Sequence, residues 1–487
     1  MKWGVKTMNN PVILIAFPLL FAFLSAIFKK MDKALLGIGL VVNILCLYMV
    51  NLGSYNIGGW QAPFGISLVL DNYSYLGIIL VNIIIAIAVI FSIKEIKKMA
   101  TVVLIIVAAL NGMLLTGDLF NLYVFMEIAS IAAFLLASMN GRYKESFHYL
   151  VAGSLGSGLY LLGIIILYGI FGTVNIADLQ NKMTGLGGNE VVLTVPLVFI
   201  FIGLSVEAKL VPFNSWVKGV FGHASGFTGA MFASAYAGAT IFVFGRVLSN
   251  IFYMSSGLQN IFLTLAVVTY VFGEFAAFAQ KSLRKILLFS SVAQSGLILS
   301  LFILHFNYVA IILLVNNIVS KLILFTTAGK LATEAGTDEI GALTGIFQKY
   351  KGIGFGFSVA CLSMMGLPVF FGFYAKVTTL FNLFKGNNLW LPAIILLMSI
   401  VEGVYFVSML VKLWNPGQEG VEATIEQVTS RTLKETTKLG IIATVLGLII
   451  ICAGVFPSVF ESNVGKAADN LGQNIPTYFI ELTGGMK

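Results

Sequence analysis

Apolar residues run through this chain in long blocks separated by short polar breaks. Blocks of about 20 predominantly apolar residues, the length that crosses a hydrocarbon slab as a helix, fall near 11–28, 34–52, 73–93, 99–115, 119–139, 146–171, 191–210, 226–248, 258–279, 285–303, 307–329, 354–371, 389–413 and 438–458. The pattern predicts an all-α polytopic membrane protein of about fourteen transmembrane helices. Two blocks are interrupted. One ends in GLSVEAKLVPFNSW, Gly203 to Trp216, where Glu207 and Lys209 stand just before Pro212. The other ends in GLPVFFGFYAK, Gly366 to Lys376, again with glycine, proline and a lysine. Proline lacks the backbone donor that an α-helix needs, so each of these spans is expected to break and continue as a half-helix, near 213–222 and 374–386.

The charges at the breaks carry the functional signal. A charged side chain at mid-membrane costs about 3 kcal/mol on insertion scales, and nothing apolar around Lys209 offsets that. A lysine beside a broken helix therefore reads as part of an ion pathway lined by polar groups. The bland alternative is snorkelling to an interface, and recurrence of the device at Lys376 weighs against it. Further ionisable residues lie inside apolar runs: Glu127 in TGDLFNLYVFMEIAS, Lys321 after Asn316, Asn317 and Ser320, and Glu402 in MSIVEGVYF. Ser290, Ser291, Gln294 and Ser295 place polar groups in the span before Lys321. Burial favours a neutral carboxyl and a nearby cation favours a charged one, so Glu127 can exchange a proton only beside a base, for which Lys209 is the candidate; pairing for packing alone is the competing reading. Glu274 falls near the end of its span, within reach of the basic loop QKSLRK. His223, in GHASG, has no second ligand beside it and reads as a proton relay or a structural residue rather than a metal ligand. GSLGSG at 153–158 follows no strand, so its small residues point to close helix packing rather than a nucleotide loop.

Composition agrees with the pattern. The chain has 487 residues, 58% hydrophobic and 10% charged, which excludes a soluble globular class. The net charge of +8 does not point to nucleic acid, because the basic residues cluster in alternate loops: Lys29, Lys30 and Lys33; Lys94, Lys97 and Lys98; Arg142 and Lys144; Lys281, Arg284 and Lys285; Lys330, Lys349 and Lys351; then Lys412, Arg431, Lys434 and Lys438. The loop 53–72 carries only Asp71, and 249–257 carries no charge. By the positive-inside rule the basic loops face the cytoplasm, which predicts a multi-pass protein of the cell membrane with both termini outside. Lysines and no small-residue cleavage site follow the first apolar run, so it reads as a retained helix rather than a signal peptide. Cys46, Cys361 and Cys452 are far apart and form no metal or iron-sulfur pattern, so no cofactor, metal or redox centre is expected. The loop 414–437 alternates acids and bases, with Val421, Ile425 and Val428 at helical spacing, and predicts a helix on the membrane surface. The tail after Pro457 reads as polar and external.

GDLFNLYVFMEI with Glu127, AKLVPFNSW with Lys209, QKSLRKILLFSSVAQSG, NNIVSKLILF with Lys321 and GLPVFFGFYAKV with Lys376 make the chain resemble a known family over roughly its fourth to thirteenth spans. These are the antiporter-like membrane subunits shared by respiratory complex I, Mrp-type Na+/H+ antiporters and membrane-bound hydrogenases. Without a long lateral helix after the last span, the chain is similar to the Mrp D-type subunit or its hydrogenase counterpart. The resemblance implies two inverted five-helix repeats, each with a broken helix. It divides the chain into scaffold helices (1–98), a first repeat (99–250), a second repeat (251–413), and a surface helix, final span and tail (414–487). It implies an ion pair between Glu127 and Lys209, with Lys321 as the central relay and Lys376 on the exit side. Proton movement would follow from breaking and remaking the pair. The chain departs from the family's pattern in its eighth span, where FASAYAGATIF has no lysine or histidine and Tyr236, His223 or water would have to bridge. Asn316 and Asn317 stand where a histidine is common before Lys321, and WVKGVFGHASG replaces the usual segment after the first break.

These readings converge on a subunit that moves protons, with or without Na+/H+ exchange, through Glu127, Glu207, Lys209, His223, Lys321, Lys376 and Glu402. It is expected to sit in the bilayer beside other membrane subunits, homologous antiporter-like ones among them, in an Mrp-type antiporter or a redox-driven hydrogenase-like or complex I-like oxidoreductase. The alternative from another class is a scaffold subunit that keeps the fold without transporting. A stand-alone solute carrier would need an aromatic or arginine cluster, which the sequence lacks.

Overall fold

The computed structural model describes residues 10–93, 95–96, 99–138, 143–184, 190–222, 224–252, 256–386, 388–415 and 430–472. The protein is mostly helical. In chain order its elements are α1 (Ile13–Ile27), α2 (Asp32–Met49), β1 (Gly53–Asn56), β2 (Ser67–Leu70), α3 (Asn72–Ser92), α4 (Ala100–Leu115), α5 (Leu119–Ser138), α6 (Tyr143–Phe171) and α7 (Ile176–Thr184). They continue as α8 (Thr194–Glu207), α9 (Val217–Phe221), α10 (Gly226–Ile251), α11 (Ser256–Phe278), α12 (Leu283–Ile303), α13 (Asn307–Ala335), α14 (Lys351–Met365), α15 (Phe371–Lys385), α16 (Trp390–Trp414), α17 (Ser430–Val455) and α18 (Ser458–Gly472). Among the described residues, ten helices are long and apolar enough to cross a membrane, and α1, α4, α8 and α14 are shorter apolar helices. Helices suit this setting because they satisfy every backbone polar group internally, which a lipid environment demands.

Three helices form the centre. α10 is buried along its whole length, and α12 and α13 nearly so, whereas α2 and α16 leave much of their surface to the outside. α11 lies along α12, α6 along α8, α14 along α17 and α1 along α4. Close approach uses the small residues noted above: a Cβ on Gly156 would come within 2.8 Å of the Val206 side chain. The predicted half-helix after the first break is one short turn, α9, whereas the one after the second is the full α15.

The N-terminal helices are tied by amides. Asn43 Nδ2 donates to Asn82 Oδ1 (2.6 Å), Asn82 Nδ2 to Asn111 Oδ1 (2.7 Å), and Asn111 Nδ2 to the Leu14 carbonyl (2.8 Å). One ladder thus joins α2, α3, α4 and α1. Replacing its middle rung, Asn82→Leu, strands the amides on either side and is expected to cost about 1–2 kcal/mol, measurable as a lower unfolding temperature in detergent. At the end of α10, Arg246 pairs with Asp71 at 2.7 Å and lies over the Tyr73 ring, tying the centre to the start of α3.

Three features depart from expectation. The segment 172–190, between two predicted spans, contains the helix α7, and 53–70 contains the antiparallel hairpin β1–β2. The stretch read as a polar tail is helical from Ser458 to Gly472 and packs against α3 and α13. Its Asn470 Oδ1 accepts from the Asn72 backbone N–H at 3.0 Å and from Asn72 Nδ2 at 2.8 Å, an anchoring that its amphipathic pattern did not disclose. The predicted surface helix falls largely on 416–429, outside the described residues.

Candidate functional site

The two breaks share one backbone design. α8 ends with the Leu210 N–H donating to the Ser205 carbonyl (2.9 Å) and the Lys209 N–H to Val206 (3.3 Å). α14 ends with the Leu367 N–H donating to Leu362 (3.1 Å) and the Gly366 N–H to Ser363 (3.0 Å). Both are Schellman closures, which need a left-handed residue at the turn. In the second break that residue is Gly366 (φ 77°), and in the first it is Lys209 itself (φ 65°). A left-handed conformation costs a non-glycine residue about 1 kcal/mol. Here it accompanies a lysine side chain held inside the bundle, in keeping with strain concentrating at functional positions. The lysines are therefore not placed alike: Lys209 sits on the break, and Lys376 on the half-helix that follows. The Lys376 stem crosses the other turn, where a Cβ on Gly366 would meet its Cδ at 2.7 Å.

α12 is the hub. Ser290 and Ser291 are neighbours on it, and Gln294 lies one turn after Ser290 on the same face. Lys209 Nζ donates to Ser291 Oγ (2.9 Å) and stands 5.5 Å from the centre of the Phe221 ring. Lys321 Nζ donates to Ser290 Oγ (2.7 Å). Gln294 Nε2 donates to Glu402 Oε1 (3.4 Å), and Glu402 Oε2 pairs with Lys376 Nζ at 2.5 Å. Lys376 also donates to Ser399 Oγ and the Met365 carbonyl. One turn of one helix thus touches Lys209, Lys321 and Glu402, whose exposures are 1%, 0% and 0%. None of the three snorkels.

On the other side of Lys209, Glu207 Oε2 accepts from the Tyr236 hydroxyl at 2.8 Å, and the Tyr149 hydroxyl donates to Tyr236 at 3.2 Å. Tyr236 closes a π-helical turn, Met231–Tyr236, within α10. Such turns insert an extra residue and re-aim side chains at functional positions, and Tyr236 here occupies the span that lacks a lysine or histidine. The Glu127–Lys209 ion pair is not formed: no such pair occurs among the described residues. The Lys209 turn aims its amine at α12, while Glu127 is half-buried at the edge of the exposed α5 stripe of Val124, Ile128 and Ile131. His223 lies outside the described residues.

Two buried groups escaped the sequence reading. Glu274, expected near the basic loop, is fully buried and accepts a hydrogen bond from the Tyr405 hydroxyl at 3.0 Å. Tyr405 follows Glu402 by three residues, helical spacing that could have marked it. Nothing in the sequence signalled that α11 turns Glu274 inward.

A polytopic helical bundle with two broken helices and a buried series of acids and amines belongs to the class of ion-handling membrane subunits. The chain is a member of the family described as NADH:quinone oxidoreductase/Mrp antiporter, TM, which matches residues 116–401. It is similar to the D-type subunit of the Na+/H+ antiporter of Bacillus subtilis (strain 168), 28% identical over 418 residues, covering 81% of this chain and 85% of that one. It is also similar to the N-type subunit of the NADH-quinone oxidoreductase of Desulforudis audaxviator (strain MP104C), 27% identical over 494 residues, covering 94% and 98%. Among solved structures, a chain of the membrane-bound sulfane sulfur reductase, an archaeal respiratory membrane complex, superposes with a TM-score of 0.86 at 27% identity, covering 96% of this chain and 99% of that one.

Proposed function

We propose that this chain moves protons across the membrane as one subunit of a larger membrane complex, an Mrp-type cation/proton antiporter or a respiratory oxidoreductase. The observation that carries the reading is the α12 turn where Ser291, Ser290 and Gln294 meet Lys209, Lys321 and Glu402 in the buried centre. Six ionisable side chains, Glu207, Lys209, Glu274, Lys321, Lys376 and Glu402, are less than a tenth exposed, a burial that packing does not require and that charge transfer does. In this reading Glu127 and Glu207 serve the entry side with Tyr236 in the place of a base, Lys209 and Lys321 relay, and Lys376 with Glu402 forms the exit; His223 is a further candidate for the pathway.

The matched Schellman turns support two repeats, α4–α10 and α11–α16; their inverted orientation, fourteen spans and basic loops facing the cytoplasm belong to the same proposal. Homologous antiporter-like subunits are the expected neighbours, Na+ a candidate co-transported ion, and the chain carries no cofactor of its own.

The test uses vesicles containing the whole complex. Lys209→Gly, which relieves the backbone while removing the amine, and Lys321→Ala are each expected to slow proton movement about a hundredfold, the scale of losing a proton-transfer group. Wild-type rates in both, with normal assembly, would make the chain a scaffold.

A further inference from the structure

Glu274 has no part in the pathway above, yet it faces the same buried centre. Its Oε2 accepts from Tyr405, and its Oε1 has no hydrogen-bond partner among the described residues. No lysine or arginine pairs with it among the described residues. A buried carboxylate left without a cation is costly, and the group takes a proton instead. Tyr405 and Ser290 are neighbours across the α12–α16 packing, and the Ser290 hydroxyl accepts from Lys321 at 2.7 Å. Two hydroxyls therefore lie between Lys321 and Glu274, apart from the link that Gln294 makes to Glu402 and Lys376. The charged and titratable groups facing Glu274 are Glu402 and Tyr405 from α16, Lys376 from α15, Lys321 from α13 and Tyr270 from its own helix. Glu274 stands one turn before the end of α11 at Phe278, on the side of the loop containing Lys281, Arg284 and Lys285.

We infer that Glu274 is a second proton terminus for Lys321, reached through Ser290 and Tyr405 and opening toward the basic-loop face. The carboxyl releases its proton to the Tyr405 oxygen as the Tyr405 proton passes to Ser290. The Ser290 proton passes to a neutral Lys321 amine, leaving a carboxylate and an ammonium; the reverse sequence restores the acid. Lys321 thereby exchanges with two branches, one ending at Glu274 and one at the Lys376–Glu402 pair. This rests on the proposed role of Lys321 as a relay.

The experiment compares Glu274→Gln, Tyr405→Phe and Lys321→Ala in the intact complex, reading proton movement in vesicles and the carboxylic-acid carbonyl band in infrared difference spectra after a pH jump. Glutamine keeps the shape and the Tyr405 contact, and Tyr405→Phe supplies an independent variant. Glu274→Gln is expected to slow transport roughly tenfold and remove one acid band, Tyr405→Phe to slow it similarly and shift that band, and Lys321→Ala to slow it about a hundredfold. Wild-type transport in Lys321→Ala would overturn the relay itself. With Lys321→Ala slowed as expected, unchanged transport in Glu274→Gln would overturn the branch alone. Slowed transport with the band unchanged would make Glu274 structural and also overturn it.

Discussion

Lys376→Ala is expected to destabilise the protein more than the double replacement Lys376→Met with Glu402→Leu. Lys376 and Glu402 pair at 2.5 Å, with Glu402 wholly buried and Lys376 nearly so. Removing the lysine leaves a carboxylate whose remaining partner is Gln294 at 3.4 Å. Breaking a buried pair from one side costs about 3–5 kcal/mol, whereas replacing both members with apolar groups of similar size is often close to neutral. Thermal unfolding in detergent is expected to place the double variant above the single one. Transport in vesicles is expected to be lost in both if the pair forms the proposed exit. Equal destabilisation of single and double variants would mean that the pair does not carry the local charge balance.

Ser290→Ala and Ser291→Ala probe the hub. Without the serine hydroxyl, and among the described residues, Lys321 keeps the Leu287 carbonyl at 3.4 Å and Lys209 keeps the Phe221 ring. Each loss of a buried acceptor is expected to cost about 1–3 kcal/mol. Because the two serines sit side by side on one turn and serve one pathway, the double replacement is expected to slow transport about a hundredfold, less than the product of the two single effects. Ser→Thr at either position keeps the hydroxyl and is expected to retain most activity. If the alanine variants transport normally, the amines communicate by a route that avoids α12.

The Gly366→Ala variant tests the second break on two counts. Alanine at φ 77° is strained, and its methyl would press on the Lys376 stem. A loss of about 1–2 kcal/mol together with slower transport is expected, from the same two assays.

Much of this was legible in the residues. Long apolar blocks mark helices whatever their neighbours, because hydrocarbon demands internal hydrogen bonding, and the predicted blocks coincide closely with the helices. Glu207, Lys209, Lys321, Lys376 and Glu402 stood out because an ionisable residue inside such a block is costly wherever it points. Their partners were not legible. Glu127 and Lys209 suit each other in charge, but the left-handed turn at Lys209 and the outward-leaning stripe of α5 separate them. Spacing along one helix also says nothing of which face looks inward on the next, so Glu274 passed as a loop-side acid and Tyr149 went unnoticed.

By itself, then, the order of residues determined that this is a multi-helix membrane protein, where its helices run and break, and which charges lie within them, since each follows from local composition measured against the cost of lipid. Only the tertiary structure decided that α12 carries the contacts, that serine hydroxyls rather than Glu127 receive the amines, and that Glu274 is buried against Tyr405. Those depend on helix rotation and packing distance, which sequence periodicity leaves open by half a turn and hydrogen bonds resolve to tenths of an ångström.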